Sequence, residues 1–280
     1  MQPVHRRSLY APDHRRSRLL QRSPNMAQST RILFVSGELD PFTQASSIAS
    51  LARSLPEQVQ DGGDYEARIM MPCYGGISER KHSLHEVIRL SGTDVPMGDD
   101  TEEVTVKVAS VPGVRLQVYF MDHGDYFSRD GVVRDEDGTL FDDNARRALF
   151  FNRAVLETIR TLRWGPEVVH AFGWISSLLP GLLATEYSGD DVLGDTKTVF
   201  TPDEVDLDIS FSADAADGLG LSVDEPTRPL TQIGLQYANA TLSLPDAATI
   251  DGAVQLSAEE EERASQTLEL YEQMLSEVPA

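Results

Sequence analysis

The sequence predicts an α/β fold, a three-layer, Rossmann-like sandwich built on a doubly wound, mainly parallel sheet. Short apolar runs that end in small or acidic residues recur along the chain, as in RILFVS (31–36) and PEVVHAF (166–172). Such runs are typical of strands buried on both faces of a parallel sheet. Segments with apolar residues at helical spacing separate these runs, which is the alternation expected of βαβ units.

The first predicted βαβ unit spans residues 31–72. The strand at 31–36 is followed by apolar residues at helical spacing between 48 and 55, and then by the buried run EARIMMP (66–72). Because two strands joined by a helical crossover pair in parallel, this unit sets the expected direction of the sheet.

A small β-rich insertion is predicted in the middle of the chain. Residues 86–90, 103–111 and 114–121 have strand patterns, and the second of these alternates apolar and polar residues as a half-buried antiparallel strand does. Turn-rich stretches at 92–100 and 130–138 separate or follow them. We interpret the whole segment as a β excursion inserted into the doubly wound fold.

The second half of the chain returns to alternating helices and strands. Its strongest helical pattern starts after Asp142 and Asp143, which we expect to cap the N-terminus of that helix. The later predicted elements are a strand at 166–172, a helix at 175–187, a strand at 196–201, a helix at 230–239, a strand at 240–244 and a last helix at 258–275.

Three segments of different character are expected. Residues 1–30 form either a disordered basic tail or a stretch that precedes the true start at Met26, and we favour the second because Met26 stands just before the first core strand. Residues 31–250 form the folded domain. Residues 251–280 form an acidic C-terminal helix that packs on the domain or trails from it.

The charge of the chain is strongly negative and unevenly distributed. The 280 residues contain 45 Asp and Glu against 24 Lys and Arg, a net charge of -21, while the first 30 residues carry six arginines and one acid. An acidic body repels phosphate backbones and anionic lipids, so we expect no nucleic-acid and no membrane partner. Only three of the basic residues are lysines, which favours adaptation to a salt-rich cytoplasm over an ordinary acidic protein.

Generic signals for catalysis are few. The sequence has one cysteine, Cys73, which excludes an internal disulfide and a cysteine-rich zinc site, and no apolar run long enough to span a bilayer, so a cytoplasmic protein is expected. It has no GxGxxG after the first strand, no phosphate-binding GxxxxGK[ST], no GxSxG and no HExxH. His170, at the carboxyl end of a buried strand, is a weak catalytic candidate, and a packed structural histidine is the favoured alternative.

Seven segments together resemble one enzyme family, the bacterial glycogen synthases and plant starch synthases. They occur in the order expected of the first lobe of these enzymes and cover about 31–245. The segments are RILFVSGELDPF (31–42), ARIMMPCYGGI (67–77), VYFMDHGDYFSRDGVV (118–133), DDNARRALFFNRAVLE (142–157), EVVHAFGWISSLLPGLL (167–183), TKTVFT (196–201) and IGLQYANATLSL (233–244).

The resemblance implies a GT-B glucosyltransferase in which ADP-glucose or UDP-glucose lies between two Rossmann-like lobes and an α-glucan is the acceptor. It implies no cofactor and no metal, since basic side chains and helix N-termini neutralise the diphosphate. A protein partner that supplies the second lobe is one expectation. The substrate-binding candidates are Glu38, Ser46, Ser47, Asp142, Asn144, His170 and Trp174.

Three of these candidates have a second interpretation. Asp142 and Asn144 lie in the stretch that matches the family's D-N segment, yet both suit a helix N-terminus, and we favour capping. Trp174 begins a predicted helix beside the cleft, where it either stacks on a sugar or fills a core seam, and we favour the seam. Glu38 matches the family's loop glutamate and is expected to line any retained pocket.

The first departure from the family falls in the loop after the first strand. The family's K-x-G-G-L segment has a lysine that meets the sugar nucleotide and glycines that let the backbone approach it. Here the segment is QASSI, with Gln44 at the lysine and Ser46 and Ser47 at the glycines. The cation and both glycines are therefore replaced.

Two further departures follow the later strands. The family's H-A-H-D-W becomes HAFGW, with Phe172 at the histidine that contacts the transferred glucose and Gly173 at the aspartate. Its T-I-H-N becomes residues 201–204, Thr-Pro-Asp-Glu. Because the replacements fall on the ligand face while the core segments persist, they indicate a fold retained without the ancestral transfer reaction.

Three functions remain open from the sequence. The first is a degenerate synthase-like lobe that acts as a binding or regulatory module, and the second is a working glucosyltransferase completed by a separate second lobe. The third is a different enzyme that reuses the cleft. Its acid and base candidates are Glu38, Asp122, His123 and His170.

Overall fold

The computed structural model describes residues 29–43, 46–62, 64–204, 207–212 and 227–276. Residues 1–28 of the predicted basic tail, with Met26, lie outside the described residues, and Thr30 at its predicted end begins the first strand. None of the described helices is long and apolar enough to cross a membrane.

The described strands and helices alternate along most of the chain. The strands are β1 (Thr30–Ser36), β2 (Tyr65–Pro72), β3 (His85–Glu86), β4 (Thr93–Met97), β5 (Asp100–Ser110), β6 (Gln117–Asp122), β7 (Val168–Phe172), β8 (Lys197–Thr201), β9 (Ser210–Ser212), β10 (Thr227–Pro229), β11 (Ala240–Ser243) and β12 (Val254–Gln255). The helices are α1 (Ser47–Asp61), α2 (Glu79–His82), α3 (Gly124–Phe127), α4 (Asn144–Leu162), a 3₁₀ turn (Trp174–Ser176), α5 (Leu179–Ala184), α6 (Leu230–Tyr237) and α7 (Glu260–Ser276).

One ten-stranded sheet forms the centre of the molecule. Its order is β12-β11-β8-β7-β1-β2-β6-β5-β3, with β4 paired to β5. All neighbours from β12 to β6 are parallel, and Phe34 of β1 lies beside His170 of β7 and Ile69 of β2. Residues 32–35 of β1 are completely buried, as expected for a strand covered on both faces. The predicted mainly parallel, doubly wound sheet is confirmed.

Helices cover both faces of the sheet. The connection through α1 moves from β1 to β2 in one direction along the sheet, whereas α4 connects β6 to β7 in the opposite direction. Because such crossovers are right-handed, α1 and α4 lie on opposite faces. α7 returns to the face of α1 and packs against it. The three layers are therefore a helical layer with α1 and α7, the sheet, and a second helical layer that contains α4.

The β-rich insertion is present, but two of its predicted boundaries are wrong. The stretch 92–100, predicted as turns, contains β4, which pairs with β5 and packs against α4. Pro96 within it suits an edge strand, where a missing N–H costs no ladder bond. The predicted strand at 86–90 is reduced to the two residues of β3.

The predicted helix at 175–187 is also wrong as a single element. The chain forms a 3₁₀ turn at 174–176 and then α5 at 179–184. Pro180 lies in the first turn of α5, where its missing N–H is tolerated, and it cannot continue a helix that started earlier. The break places the 3₁₀ turn directly after β7.

α7 packs on the domain through a row of buried side chains, one of which forms a hydrogen bond with the sheet. Its inward residues Ala264, Thr267, Tyr271 and Met274 follow helical spacing. Tyr271 is completely buried, and its hydroxyl lies 2.6 Å from Nδ1 of His170 in the sheet. The helix is therefore attached to the central sheet through a polar contact as well as through apolar packing.

Replacing Tyr271 with Phe tests this attachment. The substitution keeps the ring but leaves the buried Nδ1 of His170 without its partner, which should cost about 1–3 kcal/mol of the free energy of unfolding. Urea denaturation measures the change. The exposed Glu269→Gln variant on the same helix is the control and should change stability by less than about 0.5 kcal/mol. Equal stability of the two variants would show that the hydrogen bond contributes nothing.

Candidate functional site

The three segments that depart from the family meet at one edge of the sheet. β1, β7 and β8 are parallel neighbours, so the loops that follow them lie side by side at their carboxyl ends, the edge where open α/β sheets bind ligands. The space among the residues nearest β1, β7 and β8 has a free volume of about 10 Å³, room for about one water molecule, whereas Ser46, Ser47 and Glu204 farther along these loops line a separate cavity of about 450 Å³. The walls of the smaller space are Gly37, Glu38, Ile48, Phe172, Gly173, Trp174, Ile175 and Asp203. We call this smaller space the filled gap.

Asp203 closes the filled gap through a contact with the loop after β7. Its Oδ2 accepts a hydrogen bond of 2.7 Å from the backbone N–H of Trp174. Gly173, the residue before Trp174, has φ 72° and ψ -179°, a conformation that only glycine adopts readily. A Cβ at residue 173 would lie 2.9 Å from Oδ1 of Asp203. A side chain at 173 would therefore force the carboxylate to shift, in addition to straining the backbone.

His170 lies beneath the filled gap and is completely buried. Its Nδ1 is 2.6 Å from the Tyr271 hydroxyl, and its Nε2 is 2.8 Å from Oγ1 of Thr201. The ring of Phe172 stacks on the imidazole at 4.1 Å between centroids. Burial lowers the pKa of His170 to about 3, so the ring is neutral at physiological pH. Both ring nitrogens therefore have hydrogen-bond partners inside the core.

Ser46 and Glu38 occupy the N-terminus of α1. Oγ of Ser46 accepts a 3.0 Å bond from the N–H of Ala49 and donates a 3.1 Å bond to Oε2 of Glu38. Burial raises the pKa of Glu38, while the serine bond acts in the opposite sense. A free helix N-terminus attracts anions, but here a serine cap and a carboxylate take that place. Ser47 is exposed, and Gln44 lies outside the described residues.

The expectations that Asp142 and Asn144 cap α4 are both wrong. The residue at the N-cap is Asp143, whose side chain makes no capping hydrogen bond. Asn144 is buried, and its side chain donates to the carbonyl of Val133 and accepts from Arg147. Asp142 is exposed. Asn144 therefore links the loop before α4 to that helix, because the loop carbonyl needs a partner inside the protein.

The remaining sequence candidates are held by other contacts. Trp174 is buried in the 3₁₀ turn. Asp122 forms an ion pair with Lys107, and Nε2 of His123 lies 3.3 Å from a carboxylate oxygen of Glu102. Asp122 and His123 thus have partners on the neighbouring strand β5.

A larger cavity opens beside the filled gap, with a volume of about 590 Å³. Glu38 lines both spaces, whereas Tyr74, which is not among the candidates from the sequence, lines the cavity alone. Tyr74 is 3% exposed, and its hydroxyl has no hydrogen-bond partner. The position of Tyr74 just after β2, at the carboxyl edge of the sheet, is the sequence signal for this site. We call this space the Tyr74 cavity.

The described part of the chain contains neither a cluster suited to a metal ion nor a reactive thiol. No group of three or more His, Cys, Asp or Glu side chains there is arranged to hold a metal ion. Cys73 is buried, and burial raises the pKa of its thiol to about 12, so it is not a thiolate nucleophile at neutral pH.

Comparison with known proteins identifies the family. A family model described as the starch synthase catalytic domain matches residues 31–243. The chain belongs to this family. The glycogen synthase of Chlorobium limicola is 42% identical over 172 residues, which cover 61% of this chain and 35% of the relative. That of Chlorobium phaeobacteroides is 41% identical over the same shares. The chain spans about a third of the length of these curated relatives.

A solved structure gives the same fold. The catalytic domain of starch synthase IV from Arabidopsis thaliana, bound to ADP and acarbose, matches with a TM-score of 0.65 at 15% sequence identity. The match covers 88% of this chain and 50% of that one. Both the predicted family resemblance and the GT-B-like fold class are confirmed.

Replacing Gly173 with Ala tests the closure of the filled gap. The new methyl group meets Asp203 and the backbone is strained, so the free energy of unfolding should fall by about 1–3 kcal/mol. Urea denaturation measures the loss. Gly189→Ala is the control, because a Cβ there contacts nothing within 4 Å. In a double-mutant cycle with Asp203→Ala the two losses should not add, and strict additivity would contradict the steric coupling.

Acid should destabilise the fold through His170. Its folded pKa of about 3 lies below the ordinary histidine value of about 6.5. The unfolded chain therefore binds the proton first, and this stabilising contribution is lost as the pH falls below about 6.5. Between pH 7 and 5 the loss should be about 2 kcal/mol larger in the wild type than in His170→Gln.

The measurement is denaturant unfolding at several pH values. His85→Gln, which removes an exposed histidine, should keep the wild-type pH dependence. If His170→Gln also kept it, burial of His170 would not be the source of the acid sensitivity.

Proposed function

We propose that this chain is a starch-synthase-type lobe that acts as a binding or regulatory module and does not transfer glucose on its own. The filled gap is the observation that carries the proposal. Its three loops correspond to the segments that hold the sugar nucleotide in the family the sequence resembles. In this chain the same loops pack against one another.

The size of the filled gap argues against a bound sugar nucleotide at that place. Sites for small molecules generally have volumes of about 300–1,000 Å³, whereas this gap has about 10 Å³. Phe172, Trp174 and Ile48 fill it, and each is at most 5% exposed. Opening the gap would expose these apolar side chains to water, which costs free energy.

The charges around the filled gap support the same conclusion. Glucosyl transfer from a nucleotide sugar releases a diphosphate, and cations or N–H donors directed at the developing charge lower the barrier. None of the described residues that line the gap is a cation, and Glu38 and Asp203 are acidic. The N–H of Trp174, a donor of the required kind, is already bound to Asp203.

A second candidate is a glucosyltransferase that uses ADP-glucose or UDP-glucose and an α-glucan, completed by a separate second lobe. Membership of the starch synthase family supports it, as does the open Tyr74 cavity beside the filled gap. It requires the loop that contains Asp203 to move when the second lobe binds, so that the sugar nucleotide can enter.

A transfer assay separates the two candidates. We expect the purified chain to incorporate no radiolabelled glucose from ADP-glucose or UDP-glucose into glycogen above the protein-free background, because the filled gap leaves no room for the donor. Incorporation by the chain alone would overturn the proposal. Incorporation only after addition of the second lobe of a related glycogen synthase would favour the second candidate.

Binding is measured separately from transfer. In a thermal-shift screen with maltooligosaccharides, ADP, ADP-glucose and UDP-glucose, a ligand at 100 times its dissociation constant stabilises the fold by about 2.7 kcal/mol. A full-length glycogen synthase is the positive control for both assays. We expect at least one of these ligands to stabilise the fold while no glucose is transferred. If none of the four raises the unfolding temperature, the proposed binding of these ligands is contradicted.

A further inference from the structure

A groove of about 780 Å³ lies at the amino edge of the sheet, opposite to the filled gap and the Tyr74 cavity. Residues that directly precede three neighbouring strands line it. They are 165–167 before β7, 194–196 before β8, and Asn239 before β11. We call this space the amino-edge groove.

Part of the groove wall is apolar. Pro180, Leu183, Val192, Tyr237 and Leu275 contribute to it. Leu275 is 39% exposed, and only two other large apolar side chains of the described residues are exposed. A segment that covers this wall would remove apolar surface from water, which is favourable.

The charged side chains of the groove have an excess of acid. Glu167 and Asp195 are its carboxylates, and Lys197 is the one cation among the described residues that line it. Asp195 is exposed to solvent, so its carboxylate is open to a partner. The groove therefore favours a cationic occupant.

The ends of three helices add to this negative charge. α5, α6 and α7 end at the groove, with Ala184, Tyr237 and Leu275 in its wall. The last carbonyls of a helix carry partial negative charge, which a basic side chain in the last turn commonly complements. None of these three helices has a basic residue in its last turn, whereas α4, which ends at the same edge, has Arg160 there.

The groove lies beside the first described residues of the chain. Oε2 of Glu167, in the groove wall, accepts a 2.6 Å hydrogen bond from the N–H of Arg31, two residues after the first described residue, Ser29. Residues 15–22 read RRSRLLQR, with four arginines, two leucines and no acid. The chain from Arg22 to Ser29 spans at most about 25 Å, so this segment can reach the groove.

We propose that residues 15–22 bind in the amino-edge groove of their own chain. The arginine guanidinium groups bind the carboxylates of Glu167 and Asp195, for which their geometry is suited. Leu19 and Leu20 cover the apolar wall. Because the segment is attached at the same edge, its effective concentration is in the millimolar range, and a contact with a Kd of about 0.1 mM keeps the groove mostly occupied.

This contact requires that residues 1–25 are translated. The sequence alone favours a start at Met26. The complementary charge and apolar content of the segment and the groove favour the other interpretation, in which the basic segment is part of the protein.

Limited proteolysis of the full chain tests the contact. Trypsin cleaves after arginine, and a bound segment must leave the groove before it enters the protease, so binding slows cleavage after Arg18 and Arg22. Mass spectrometry measures the rates, and cleavage after Arg7, outside the segment, is the internal reference. Higher salt should speed cleavage after Arg18 and Arg22 relative to cleavage after Arg7, because salt screens the charge contacts.

Two variants locate the groove as the binding place. Asp195→Asn should speed cleavage after Arg18 and Arg22 by about twofold to fivefold, as expected for the loss of one exposed ion pair, without changing cleavage after Arg7. Leu275→Ser should act in the same direction, since it removes apolar surface from the wall.

Each variant has a matched control. Asp191→Asn removes an exposed acid of the same loop that does not line the groove, and Val254→Ser removes an exposed apolar side chain on β12. Both controls should be cleaved like the wild type. Should Leu275→Ser unfold, Asp195→Asn carries the same test, because its side chain is fully on the surface side of the groove wall.

The remaining outcomes would overturn the proposal. If Asp195→Asn and Leu275→Ser are cleaved at the wild-type rate, the groove does not bind the segment. If the protection grows with protein concentration, the segment binds the groove of a second copy, and the assignment to its own chain is wrong. An intact mass that begins at Met26, measured on the protein from its own cells, would also contradict it. The transfer assay and ligand screen probe the opposite edge of the sheet, so the proposed function is tested independently.

Discussion

The close contact between the carboxylate of Asp203 and the backbone at residues 173–174 organises the carboxyl edge of this sheet. The carboxylate accepts a bond from the N–H of Trp174 where Gly173 has no Cβ and adopts a positive φ. The resulting contact ties the loop after β8 to the loop after β7. The apolar rings of Phe172 and Trp174 then pack into the space between the loops, and the volume left is about that of one water molecule.

The fold could be predicted from periodicity because strands buried on both faces and amphipathic helices leave strong local patterns. The errors occurred where a local pattern is ambiguous. β4 has the Pro and Asp residues typical of a turn, and its strand conformation depends on pairing with β5. Likewise, Pro180 divides a segment whose apolar spacing would suit one continuous helix. Tertiary pairing decided the first case, and proline geometry decided the second.

The candidate site was predictable only in part. The loops at 37–38, 172–174 and 201–204 were located from the sequence, since parallel strands bring their carboxyl ends together. That the Asp203 carboxylate packs against Gly173, that the Tyr271 hydroxyl contacts His170, and that the Tyr74 hydroxyl and Nη2 of Arg147 lack partners are facts of three-dimensional contact. No single segment encodes them, because each contact joins residues far apart in the chain.

The filled gap and the Tyr74 cavity show opposite relations between stability and binding. In the filled gap the N–H of Trp174 is bound to Asp203 and apolar rings are buried, an arrangement that favours folding. Behind the wall of the Tyr74 cavity, the Tyr74 hydroxyl and Nη2 of Arg147 are buried and stay unpaired, which costs folding free energy. Sites that bind ligands commonly keep such a cost, because the unpaired groups gain their partners only in the complex. The unpaired buried groups of Tyr74 and Arg147 therefore lie about one strand away from the loops where the family resemblance places the ligand.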